Sequence, residues 1–99
     1  MAENKALILA RQYADAVRDA IPAEDVFLYG SHAKGAATKD SDIDIAIVVN
    51  DIPGDYLSVM ASLWKLGRSI SQEIEPVLLS LEDADSGFLQ TVRRTGIPI

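Results

Sequence analysis

A chain of 99 residues, 48% of them hydrophobic, can bury one modest core, and nothing in it marks a second domain, so residues 1–99 are taken as one unit. The formal charge of −6 is the wrong sign for gripping nucleic acid, where basic patches neutralise phosphates, and a polynucleotide partner is disfavoured. No cysteine offers a disulfide, no leader is visible, and no apolar run of about 18 residues could span a membrane, a pattern expected of a soluble cytoplasmic protein.

Between Glu3 and Ala20, Ala6, Leu7, Ala10, Tyr13, Ala14 and Val17 recur at helical spacing, with Arg11, Gln12, Asp15, Arg18 and Asp19 largely opposite; this predicts an amphipathic helix ending before Pro22. Val26 to Tyr29 reads as a short strand stopped by Gly30, and Ser31 to Ala37 is small enough to form a brief helix. Asp42 to Val49 is the second strand. After the turn-rich Asn50 to Gly54, Asp55 can cap a helix running to about Ile70. Its apolar stripe, which includes Leu57, Leu63, Trp64 and Ile70, is wider than one side of a small sheet needs. That stripe and the apolar end Ile97-Pro98-Ile99 fit either cover by another subunit or burial in the core. Ile74 to Ser80 is the third strand, and an acidic segment from Glu82 to Asp85 leads to a short helix from Phe88 to Arg94, stopped by Gly96. This alternation predicts a small α/β sandwich, a mixed sheet flanked by helices; composition does not give the strand order.

The chemistry is concentrated between Gly30 and Val48. In the strand Asp42 to Val48, Ile43, Ile45 and Ile47 line one face while Asp42 and Asp44 stand together on the other. Two residues of rise put the aspartate Cα atoms roughly 6.5 Å apart, near enough for both carboxylates to bind one ion or a pair of ions. Without a cation they would repel and raise one pKa. The Gly30-Ser31 turn before them offers close backbone approach, free N–H groups and a hydroxyl, donors suited to a phosphate. One or two carboxylates plus substrate phosphates are the usual ligands of Mg²⁺ in nucleotide enzymes, which makes Mg²⁺ with a nucleoside triphosphate the natural ligand.

Gly30, Ser31, Ala33 and Gly35, followed after five residues by Ser41, Asp42, Asp44 and Val48, form a pattern that resembles the signature of the DNA polymerase beta-like nucleotidyltransferases, in particular their minimal single-domain (MNT) branch. The resemblance implies the nucleotidyltransferase fold, a serine turn that holds the triphosphate, paired aspartates that hold two Mg²⁺ ions, and ATP as a substrate. It also implies a third carboxylate on a later strand. Glu75, inside the apolar run Ile74 to Leu79, is assigned that place over Glu73, which precedes the run; the alternative is a charge guarding an edge strand, a position Pro76 also favours. His32 and Lys34 stand where many family members carry arginine. Lys34 can still meet phosphate as a point charge, His32 is expected to face solvent, and Lys39 is read as a surface charge. Ser31 can also cap the brief helix, and Ser41 can orient Asp42 or simply start the strand.

Minimal nucleotidyltransferases commonly pair with small helical HEPN toxins, often RNases, as their antitoxins, and some transfer AMP from ATP to a tyrosine of the partner. The resemblance therefore implies a hetero-oligomeric protein adenylyltransferase and antitoxin, with Asp42, Asp44 and Glu75 as the catalytic and metal-binding residues and Gly30, Ser31 and Lys34 as the nucleotide-binding ones. Two alternatives stand beside it: an antitoxin that masks its partner without catalysis, and nucleotidyl transfer to a small molecule.

Overall fold

A four-stranded sheet of order β3-β2-β1-β4 divides the molecule, a computed structural model describing residues 5–38, 41–83 and 87–99. The chain runs through α1 (Lys5–Ala20), β1 (Ala23–Tyr29), α2 (Ser31–Lys34), β2 (Ile43–Val49), α3 (Tyr56–Arg68), β3 (Ile74–Ser80), a 3₁₀ turn (Leu81–Asp83), α4 (Gly87–Thr95) and β4 (Ile97–Pro98). β1 pairs antiparallel with β2 and β4, while β2 and β3 run parallel, so the sheet is mixed as expected. Glu3, Lys39 and Asp85 lie outside the described residues.

Alternation along β2 assigns its two faces. Ile43, Ile45 and Ile47 join Tyr13, Val17, Leu63 and Ile74 in the larger core, under α1 and α3. On the opposite face Ala46 and Val48 pack with Phe27, Leu89 and Val92, under α4. The lower half of β2 is thus buried on both sides, and its start, where Asp44 stands, is left uncovered enough to be only half-buried. α1 and α3 are joined by the buried Tyr13 hydroxyl, which donates to the Leu63 carbonyl at 2.8 Å. Burial pushes the Tyr13 phenol far above its ordinary range, so it remains a donor.

Asp55 caps α3 as expected, its carboxylate accepting from the Ser58 backbone N–H at 2.9 Å. The wide stripe of that helix divides: Val59 and Leu63 are buried, whereas Leu57 is 74% exposed and Trp64 36%. At the chain end Pro98 is exposed, but Ile97 and Ile99 are half-buried. Ile97 and Pro98 add a short strand beyond β1, the Ile99 N–H donates to the Val26 carbonyl, and Ile97 and Ile99 pack against the larger core. Gly96 makes the sharp entry into β4 possible, since a Cβ there would sit 2.6 Å from the Val92 carbonyl oxygen.

Candidate active site

Strand register builds the site. Tyr29 at the end of β1 is paired with Asp44 at the start of β2, and Asp44 with Glu75 at the start of β3, so the three stand in one row across one end of the sheet. Asp42, just ahead of β2, has the same parity as Asp44 and stays exposed. Glu75 thereby shares the face of the aspartates; Glu73 has the same parity but lies in the turn before β3 begins. Glu73 is exposed in the loop, where its carboxylate accepts from the Ser71 hydroxyl. β3 is an edge strand, the position that tolerates Pro76.

The electrostatics of the row is that of like charges held close together. A hydrogen bond between the Glu75 and Asp42 carboxyls is the main cause that raises Glu75 above its ordinary pKa; burial and the charges of Asp42 and Asp44 add to it, and Arg68 opposes them. Asp44 is raised first by burial and then by Asp42, with His32 pulling the other way. Tyr29 is raised by burial and by both Asp44 and Glu75, and its ring meets Phe88 edge-on with centroids 5.4 Å apart. Among the described residues, no three His, Cys, Asp or Glu side chains form a ready-made metal cage, so the carboxylates make a row and not an enclosed site. A donor set of a few carboxylates that needs further oxygens from substrate fits Mg²⁺, which keeps waters and binds through one or two carboxylates plus phosphates.

The Gly30 turn closes against this row. Gly30 has φ 76° and ψ −149°, outside the range of ordinary side-chain-bearing residues, and a Cβ at this position would overlap the Asp44 Oδ2 atom. Only glycine can bring this backbone against the Asp44 carboxylate. Ser31 opens the single turn α2, closed by the Lys34 N–H bonding to the Gly30 carbonyl at 3.1 Å and ended by Gly35 in the left-handed region. Gly30 occupies the capping position and no side chain caps the helix, so the capping role considered for Ser31 is not used. Lys34 is exposed. Ser41 serves the loop: its Oγ accepts from the Thr38 N–H at 2.9 Å.

His32 departs from expectation. Its side chain does not face solvent; the ring is half-buried, its Nε2 atom is buried without a hydrogen-bond partner among the described residues, and it lies near enough to Asp44 to favour that carboxylate's charged form. Arg68 was not singled out in the sequence because a basic residue in the last turn of a helix ordinarily serves the helix end. A groove of about 370 Å³ between the end of α1 and α3, lined by Ile21, Pro53, Ser58 and Leu66 among others, shares no residue with the carboxylate row.

The chain matches the family described as Polymerase beta, Nucleotidyltransferase over residues 15–99. Among solved structures it is similar to one described as a nucleotidyltransferase from Sulfolobus solfataricus, with 26% identity, 86% of this chain and 83% of that chain covered, and a TM-score of 0.61. It is also similar to a mutant form of the toxin-antitoxin MntA-HpeT, with 30% identity, 100% of this chain and 72% of that chain covered, and a TM-score of 0.61. No curated protein matches it.

Proposed function

Because this chain belongs to the polymerase beta nucleotidyltransferase family, we propose that it transfers AMP from ATP to a hydroxyl, on a tyrosine of a HEPN-type toxin that it thereby silences as antitoxin. The observation that carries the reading is the row Asp44–Glu75 with Asp42 beside it, closed on its other side by a turn that only Gly30 allows. Asp42, Asp44 and Glu75 are the residues that would hold Mg²⁺, which when bound supplies neutralisation of the phosphate charge. Gly30, Ser31 and Lys34 lie on the β1 side of the row and hold the triphosphate through backbone and side-chain donors. That leaves the β3 side for the incoming hydroxyl, where Glu75 orients it and accepts its proton as the oxygen attacks the α-phosphate and pyrophosphate departs toward Ser31.

The partner assignment is supported by the toxin-antitoxin relative and by the exposed Leu57 and Trp64 on α3, an apolar strip left uncovered in the isolated chain. No helix of the described residues is long and apolar enough to cross a membrane, and we place the protein in the cytoplasm with that partner. Incubation with Mg²⁺, ATP and the HEPN protein encoded beside it should add adenylyl groups to the HEPN protein, visible as intact mass. If the chain silences that protein with no mass change, and Asp42→Asn with Asp44→Asn silences it equally well, the protein acts as a mask and the catalytic reading fails.

A further inference from the structure

We propose that Arg68 is a positioning residue of this site, a clamp on the α3–β3 loop that sets where Glu75 stands relative to Asp42 and Asp44. The proposal rests on the reading of Glu75 as the carboxylate on the acceptor side, and it adds a residue outside the motif to that site.

Arg68 ends α3, and its Nη1 donates to two successive loop carbonyls, that of Ser71 at 3.2 Å and that of Gln72 closer still. The guanidinium lies over the Trp64 ring, 4.8 Å from its centroid, so the plane is held from one face while its edge holds the loop. The loop is tied at each further step. Ser71 N–H donates to the Gly67 carbonyl at 2.8 Å, Glu73 N–H to the Ser71 Oγ at 3.2 Å, and the Glu73 carbonyl accepts from the Ile43 N–H at 2.8 Å. That last bond lies between Asp42 and Asp44 in sequence on one strand and two residues before Glu75 on the other. Slack in the loop is therefore slack in the spacing of the carboxylates themselves.

The Arg68 charge also favours the charged form of Glu75, against the opposing pull of Asp42 and Asp44. Two roles follow from one side chain, and they predict opposite results for metal binding. If Arg68 acted through charge alone, its removal would leave a more negative site that binds a divalent cation more tightly. If it acts by holding the loop, removal loosens the row and binding weakens. Lysine keeps the charge but not the broad planar guanidinium that lies over Trp64 while its Nη1 bonds both carbonyls.

The test uses Arg68→Met, which keeps an apolar stem, and Arg68→Lys. Mn²⁺ binding with a non-hydrolysable ATP analogue is measured by calorimetry, and amide exchange is followed over residues 71–75. Both variants should weaken Mn²⁺ several-fold and speed exchange across this segment, and kcat should fall by about tenfold to a hundredfold, the scale of small misplacements, while KM for ATP changes less than about twofold. Full recovery by lysine, tighter Mn²⁺ binding by Arg68→Met, or unchanged exchange would each overturn the proposal. Absence of transfer by the parent protein would fail the proposed activity, yet the exchange and Mn²⁺ results would still decide the role of Arg68.

Discussion

Removing the Asp44 charge should stabilise the metal-free protein. At the roughly 6.5 Å spacing of alternate strand positions, two carboxylates repel by about 0.6 kcal/mol in water and about 2.5 kcal/mol at an effective dielectric constant of 20. Asp42 is exposed and the site is open, so screening places the relief near the low end, about 1 kcal/mol for Asp44→Asn. The lost attraction to His32 opposes this and is included in that choice. For a domain of this size, about 1 kcal/mol corresponds to a rise in Tm of roughly 4–8 °C. The sign of the pH dependence follows from the raised pKa of Asp44 in the folded state. The folded protein binds more protons than the unfolded chain above the ordinary carboxyl range, so parent stability is fully present below the unfolded pKa and is lost as pH rises through the folded one. Melting curves in EDTA from pH 4 to pH 8 should show the parent losing stability with rising pH and Asp44→Asn losing less. An Asn variant that melts lower than the parent at pH 7, or follows the same pH profile, would contradict the like-charge account of the row.

Other substitutions probe separate parts of the site. Glu75→Gln should lower transfer by at least about a hundredfold, the lower range for losing a general base, while Glu73→Gln in the loop should change it little; the reverse order in a steady-state assay would reject the assignment. Gly30→Ala forces a Cβ onto the Asp44 carboxylate in an unfavourable backbone conformation, and should lower Tm and weaken Mg²⁺-ATP more than the same change at Gly35, where, among the described residues, no atom beyond its chain neighbours lies within 4 Å of the new Cβ. Leu57→Asp on exposed α3 should leave Tm within about 4 °C, as surface changes do, yet weaken capture of the proposed HEPN partner in a pull-down; undiminished capture would place the interface elsewhere.

The parts of this site that were legible in the sequence are those set by local spacing. Period-two alternation placed Asp42 and Asp44 opposite Ile43 and Ile45, and the onset of the apolar run at Ile74 separated Glu75 from Glu73. What required the structure was set by contacts distant along the chain. The pairing of Asp44 with both Tyr29 and Glu75 depends on strand order, which periodicity does not encode. Burial of Ala46 and Val48 under α4 was hidden because small and β-branched residues suit a strand with one or two covered faces. The strand at Ile97 and Pro98 is too short for any propensity to register, and the half-burial of His32 and the clamp made by Arg68 arise only once α2 and the α3–β3 loop are folded against their neighbours.

If the Gly30 turn and the carboxylate row form one site, that site takes a metal and a nucleotide together. Calorimetric titration of ATP with and without Mg²⁺ tests it most directly, in the parent and in the Asp42→Asn, Asp44→Asn double variant. Mg²⁺ should tighten ATP binding to the parent by at least about tenfold, or about 1.4 kcal/mol, and give the double variant no such gain although it stays folded. A double variant that binds Mg²⁺-ATP as tightly as the parent would contradict the assignment.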